Sequence, residues 1–122
     1  ENACTSFEFK KMFDAEAVDY AQPSVTKVGG ITEFKKIYSL ADNYGVQVMP
    51  HSPYFGPGFL ATLHLSQSMP NPGLLERFFI DFEAYLYPEK TFNPKDGFFE
   101  ISDHIGLGID PDLDVIKDYR VK

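Results

Sequence analysis

The sequence predicts an α/β fold with parallel strands. The prediction depends on residues 22–55, QPSVTKVGGITEFKKIYSLADNYGVQVMPHSPYF, which combine a diglycine turn, an amphipathic helix and a strand ending in Pro-His-Ser-Pro. A helical crossover between two strands joins them in parallel. Because ligands of parallel α/β folds bind at the carboxyl ends of the strands, we expect the functional residues near Ser24 and His51.

The bulk properties narrow the class of protein. The chain has 122 residues, a formal net charge of -7 and one cysteine. This length suits one domain, and the negative charge is opposite to what a binder of nucleic acid needs. A single cysteine fits a reducing compartment, and no apolar run approaches the length of a membrane helix. We therefore expect a cytoplasmic protein with no nucleic-acid or membrane partner.

The first helix and the first strand have local signals. Thr5 begins a T-x-x-E capping box, so a helix should start near it and end around residues 14–16. An apolar stripe at three- and four-residue spacing follows, made of Phe9, Met12 and Phe13. Residues 17–21 are a candidate buried strand, which Pro23 ends in an extended conformation.

The next helix follows the diglycine turn and precedes the second strand. One face of this helix is apolar and carries Ile31, Phe34, Ile37, Tyr38 and Ala41. Gly45 is a natural stop after the helix. Residues 46–49 then read as a strand of the same parallel unit.

The second half of the chain carries weaker signals. We expect a helix over residues 58–67, a third strand around 75–79, and a short strand at 98–101 after a turn at Asp96–Gly97. Asp110–Pro111 is a good start for a last helix. Its docking face would consist of Leu113, Ile116 and Tyr119.

Three short parallel strands do not close a barrel, and they leave open edges and uncovered helix faces. The pattern therefore suggests that further chain precedes these residues. The first residue is Glu1 and not an initiator Met. We expect a processed protein or a piece of a longer one.

Several motifs resemble those of the enolase superfamily, specifically the mandelate racemase and muconate-lactonising enzyme family. They are the opening Glu-Asn, the segments Q-P-x-x-T-K-x-G-G-I-T, P-H-S-P and L-E-R, and the closing G-L-G-I-D. The resemblance runs from Glu1 to Tyr119. It implies a modified (β/α)₈ TIM barrel with an N-terminal capping domain. Residues 1–122 would supply its C-terminal portion, from strands 5/6 to strand 8 plus the C-terminal segment, without the capping domain and the first strands.

The resemblance also implies site residues. His51 matches the family's histidine acid/base, and Glu76 matches the residue that supports the developing enediolate. Glu1 matches the third of three carboxylates that hold one Mg²⁺; the other two, and the catalytic lysine of the second strand, are not in this chain. Without the motif, His51 would more often be a structural histidine and Glu1 a disordered terminus.

Position 24 departs from the family pattern. Many members carry there an aspartate that pairs with the histidine, and others carry a lysine; this chain has Ser24. A hydroxyl can only hydrogen-bond, so efficient two-base racemisation is not expected. Ser24 and Tyr54 are candidate substrate-binding residues, although Ser24 could simply line the mouth and Tyr54 could be a wall residue that excludes water.

The resemblance implies a Mg²⁺-dependent lyase or isomerase, a dehydratase or a racemase, that removes the α-proton of a small carboxylate substrate. Dehydration of an acid sugar is the preferred reaction. The alternative is a non-catalytic fragment or relic with a binding or structural role. We expect the intact protein to form homo-oligomers and the isolated residues 1–122 to be inactive.

Overall fold

The structure is a computed structural model that describes residues 1–121. Helices and strands alternate along the first half, and short helices interrupt an irregular second half. The elements are α1 (Ser6–Asp14), β1 (Tyr20–Ala21), α2 (Ile31–Asn43), β2 (Gln47–Val48), α3 (Pro57–Gln67), a 3₁₀ helix (Glu89–Phe92) and α4 (Leu113–Asp118). The predicted mixed α/β class is confirmed.

The strands β1 and β2 form a parallel pair. Tyr20 aligns with Gln47 and Ala21 aligns with Val48. The hydrogen bonding continues past the strand ends, because the His51 N–H donates to the carbonyl oxygen of Pro23 at 3.1 Å. The predicted strand–helix–strand unit is therefore confirmed, although both strands are shorter than expected.

Helix α1 begins with the predicted capping box. The Thr5 side chain accepts from the Glu8 N–H at 3.3 Å, and the Glu8 carboxylate accepts from the Thr5 N–H at 2.9 Å. These two bonds satisfy backbone donors that have no partner inside the helix. Phe9 and Phe13 are buried against the rest of the fold.

Helix α2 covers one face of the strand pair. Gly29 and Gly30 precede it with φ values of 91° and 96°, a region that favours glycine. Phe34, Ile37 and Ala41 are fully buried, whereas the predicted contact residue Ile31 is 51% exposed. The difference arises because Ile31 lies in the first turn, at the rim of the helix face.

The main core lies between one face of the sheet and the helices α1, α2 and α3. Ala21 and Val48 point into this core, together with Phe9, Phe34 and Ile37. The alternating residues Tyr20 and Gln47 are exposed on the opposite face. The sheet is therefore covered on one face only.

A second apolar cluster lies on the other side of α3. Phe59, Leu60 and Leu63 pack there with Tyr87 and Phe92. This cluster joins the irregular second half of the chain to α3.

Two strand predictions for the second half are wrong. Residues 75–79 form no strand, and residues 98–101 contribute only a single antiparallel bridge between Lys95 and Phe98, closed by the predicted Asp96–Gly97 turn. An extended segment becomes a strand only when it finds a backbone partner. Among the described residues, no backbone–backbone hydrogen bond involves residues 75–79.

The last helix also differs from the prediction. Its N-cap is Asp112, whose side chain accepts from the backbone N–H of Asp114 and Val115, and not Asp110. The expected docking face is exposed: Leu113 by 74% and Tyr119 by 57%. None of the helices within residues 1–121 combines the length and hydropathy of a transmembrane helix.

Candidate active site

The site lies at the carboxyl ends of the parallel strands. Ser24 follows β1 and His51 follows β2, and the backbone hydrogen bond from His51 to Pro23 holds these ends side by side. Ser24 is fully buried, and the His51 side chain is only 12% exposed. The sequence therefore predicted correctly that these two residues follow neighbouring parallel strands.

One ring nitrogen of His51 faces two carboxylates. Its Nδ1 lies 2.6 Å from Oε2 of Glu76 and 3.2 Å from Oε2 of Glu1. An ionised carboxylate can only accept a hydrogen bond, so we assign a proton to Nδ1. The other nitrogen, Nε2, is then the one that can take up or release a proton, as the chemistry of a general acid or base requires.

Glu76 reaches His51 because the chain before it passes very close to β2. A Cβ atom on Gly73 would lie 2.4 Å from the carbonyl oxygen of Val48 and 2.7 Å from Cγ of Met49. Only glycine fits at this crossing without displacing β2. The crossing brings residues 74–76 to the strand ends.

Ser24 and Tyr54 form a hydroxyl pair beside the imidazole. Their oxygens Oγ and Oη are 2.6 Å apart, and Ser24 Oγ is also 3.0 Å from Oγ1 of Thr26. The Tyr54 ring meets the His51 ring edge-on, with centroids 6.1 Å apart. The phenol thus points to Ser24, and its ring forms one wall beside His51. A role of either residue in binding substrate stays a prediction.

Glu1 lies at the same end of the strand pair as His51. Its Oε1 is 3.9 Å from Nζ of Lys27, and its Oε2 faces the imidazole. Within residues 1–121, no group of three or more His, Cys, Asp or Glu side chains is placed to hold a metal ion. Mg²⁺ prefers about six oxygen ligands. The described residues therefore do not form a magnesium site by themselves.

Arg77 lies beside Glu76 and was not among the predicted site residues. Its guanidinium group donates to the backbone of Phe92 and to the side chain of Asn93. The one signal in the sequence was its position directly after Glu76, within the L-E-R segment.

Comparison with known proteins identifies the class to which this fold belongs. Residues 1–115 match the family described as enolase C-terminal domain-like. The chain belongs to this family, and its α/β fold is that of the C-terminal part of an enolase-like barrel.

Individual relatives agree with the family. The chain is 35% identical over 108 residues to a D-galactonate dehydratase family member from Enterococcus gallinarum, covering 86% of this chain and 27% of the relative. A member of the enolase superfamily from Polaromonas sp. JS666 superposes with a TM-score of 0.88 at 35% identity, covering 100% of this chain and 33% of that structure.

One similar structure contains a metal and a ligand. L-talarate dehydratase from Polaromonas sp. JS666, in complex with Mg and L-glucarate, superposes with a TM-score of 0.79 at 27% identity. The superposition covers 100% of this chain and 30% of the dehydratase chain. The chain thus spans about a third of the length of the relatives it matches.

Proposed function

We propose that the intact protein is an acid-sugar dehydratase of the enolase superfamily, which removes the α-proton of a carboxylate substrate. The observation that carries the proposal is the contact of 2.6 Å between His51 Nδ1 and Glu76 Oε2 at the strand ends. This contact fixes the orientation of the imidazole and directs proton transfer to Nε2. The names of the relatives support dehydration as the reaction.

In this reaction a base outside residues 1–122, for which the resemblance implies a lysine, takes the α-proton, and His51 acts as the general acid. When the bond between the β-carbon and its hydroxyl group breaks, protonated Nε2 gives its proton to the departing oxygen, and water leaves. The Glu76 carboxylate stabilises the imidazolium while it is charged. In a racemase the same Nε2 would instead exchange a proton with the α-carbon.

Glu76 has a second candidate role. A protonated carboxyl group at this position could donate a hydrogen bond to the substrate carboxylate, as the resemblance implies. In the contact with His51, Glu76 is instead the acceptor for the proton assigned to Nδ1.

Tyr54 is proposed to contact the substrate, and the buried Ser24 is proposed to hold the Tyr54 hydroxyl group in place. Acid sugars carry several hydroxyl groups, and the phenol hydroxyl of Tyr54 can donate or accept a hydrogen bond. The Tyr54 ring also limits the access of water to the imidazole.

We propose that residues 1–122 are the C-terminal barrel segment of a longer chain and that the longer protein uses Mg²⁺. Glu1 would then be one metal ligand, with the others outside this chain. Coverage of 33% of a full-length relative corresponds to about three times the 13.8 kDa of residues 1–122. Mass spectrometry of the protein from its native source tests this expectation, and a mass of 13.8 kDa would contradict it.

The activity is tested by proton exchange. The intact protein is incubated in D₂O with Mg²⁺ and a panel of acid sugars, and ¹H NMR follows the α-proton signal and the formation of a keto product. We expect the α-proton of at least one member of the panel to be lost. An unchanged α-proton throughout the panel would reject the proposed enzyme.

The alternative is a relic that binds but does not catalyse. The observation that favours it is Ser24, a neutral group at a position where the resemblance implies a charged one in many family members. Saturable binding of an acid sugar by calorimetry, without any exchange, would support the relic.

Two expectations about the intact protein stay predictions. Cys4 is a free and exposed thiol, which suits a reducing compartment such as the cytoplasm. Cell fractionation checks the location, and light scattering checks the expected homo-oligomer.

A further inference from the structure

Arg77 lies between two aromatic rings. The central carbon of its guanidinium group is 4.8 Å from the ring centroid of Phe55 and 4.8 Å from that of Phe79. A planar cation over an aromatic face is attracted by the ring electrons, and arginine stacks in this way better than lysine. Phe55 belongs to the loop after β2, four residues beyond His51.

The same guanidinium group also makes directed hydrogen bonds. Its Nε donates to the carbonyl oxygen of Phe92, and its Nη2 donates to Oδ1 of Asn93 at 3.1 Å. The third nitrogen, Nη1, is buried and has no hydrogen-bond partner among the described residues. A buried donor without a partner costs free energy, so stability alone does not explain why the group is held here.

The backbone around Glu76 has little support of its own. Among the described residues, no backbone–backbone hydrogen bond involves residues 73–79. Side-chain contacts must therefore fix the position of this segment. Arg77 is next to Glu76 and connects it to the loop after β2 and to the end of the 3₁₀ helix.

We propose that Arg77 is a positioning residue that holds the Glu76 carboxylate against Nδ1 of His51. Arg77 itself is not expected to touch substrate. The effect on catalysis rests on the function proposed above, whereas the effect on the His51 ring does not.

The first test uses NMR of the intact protein with ¹⁵N-labelled histidine. We expect wild type to show an Nδ1-bound proton on His51 that is protected from exchange with water. Arg77→Met keeps the aliphatic length but removes the guanidinium group, so this proton should become unprotected. Arg120→Met, at an exposed arginine, is the matched control and should leave the His51 signals unchanged.

The second test is kinetic and follows the keto product formed by dehydration of the best acid sugar. A misplacement of about 1 Å at a reacting group can cost on the order of 10²-fold in rate, so we expect kcat to fall by about that factor in Arg77→Met. KM should stay near its wild-type value, because Arg77 does not contact substrate. Arg77→Lys should not restore kcat, since an ammonium group has neither the Nε donor nor the planar faces.

The two proposals fail in different ways. If wild type exchanges no α-proton, the proposed function is rejected and the NMR comparison still decides the role of Arg77. If Arg77→Met does not fold, Arg77→Lys provides the same NMR comparison. A folded variant that keeps the protected Nδ1 proton of His51 overturns the positioning role.

Discussion

The hydrogen bonds at the strand ends divide the site residues into two pairs. Ser24 is bonded to Tyr54, and His51 contacts Glu76. The family pattern would instead place a charged group at position 24 beside the histidine. The negative charge next to His51 therefore comes from carboxylates that lie far from Ser24 in the sequence.

The sequence predicted part of this arrangement. Ser24 and His51 were placed correctly at neighbouring strand ends, because the parallel unit has clear local signals. The contact between His51 and Glu76 was not predicted, since it depends on the path of residues 73–76. That path is set by a close contact between Gly73 and the backbone of Val48, which leaves no periodic signal in the sequence.

The hydroxyl pair leads to a prediction about coupling. Ser24→Ala and Tyr54→Phe should each destabilise the protein by about 1 kcal/mol, because each removes one partner of a bond with a buried serine. The double variant should lose little more unfolding free energy than either single variant does. Urea unfolding of all four proteins measures the coupling, and additive losses would contradict a direct bond.

At the scale of the elements, α1 and α2 are linked by a carboxylate. Glu33, in the first turn of α2, accepts from the Ser6 hydroxyl at 2.6 Å and from the Ser6 backbone N–H at 2.9 Å. Together with Lys36, these donors lower the pKa of Glu33 to about 2. The bond joins the start of α1 to the start of α2.

This link predicts a pH dependence. Because its pKa is lower in the folded state, ionised Glu33 stabilises the fold fully above its usual value of 4.5, and the contribution is lost as pH falls towards about 2. Glu33→Gln should melt at a lower temperature than wild type at pH 7. This difference in melting temperature should shrink as the pH falls from 4.5 to about 2. Glu16→Gln, at an exposed carboxyl, is the control; a constant difference for Glu33→Gln would contradict the assignment.

The crossing of Gly73 over β2 gives a second prediction at this scale. Gly73→Ala would put Cβ 2.4 Å from the Val48 carbonyl oxygen, which the backbone can relieve only by moving. We expect a loss of about 1–3 kcal/mol in unfolding free energy. Gly56→Ala is the control, because a Cβ there meets nothing within 4 Å. Equal stability of the two variants would contradict the close approach.

The elements differ in how well the sequence predicts them. The capping box of α1, the apolar face of α2 and the Gly45 stop are local signals, and all three are confirmed. The strand expected at 75–79 is wrong because pairing depends on a neighbour that the local pattern does not specify. The docking face of α4 fails for the same reason: an apolar stripe does not reveal whether a partner is present.

At the scale of the whole molecule, one face of the sheet is open. A cavity of about 830 Å³ lies there, and its lining includes Tyr20, Gln22, Gln47 and Met49. Parallel sheets are normally covered on both faces. This open face agrees with the proposal that residues 1–122 belong to a longer barrel.

The exposed apolar surface predicts how residues 1–122 behave when expressed alone. Large apolar side chains are exposed along the second half, including Leu74, Phe79, Phe98 and Leu113. Exposed apolar patches of this kind promote association. We expect aggregates in size-exclusion chromatography and light scattering. A monomer with a cooperative melting transition would contradict this expectation.

In the proposed reaction, Nε2 of His51 gives its proton to the departing hydroxyl group. This step is tested by the rate at which wild type, His51→Asn and the control His104→Asn, which changes an exposed histidine, form the keto product. General acid–base groups contribute about 10²–10⁴-fold, so we expect the rate of dehydration to fall by that range in His51→Asn and to stay unchanged in His104→Asn. A folded His51→Asn protein with the wild-type rate would contradict this role of Nε2.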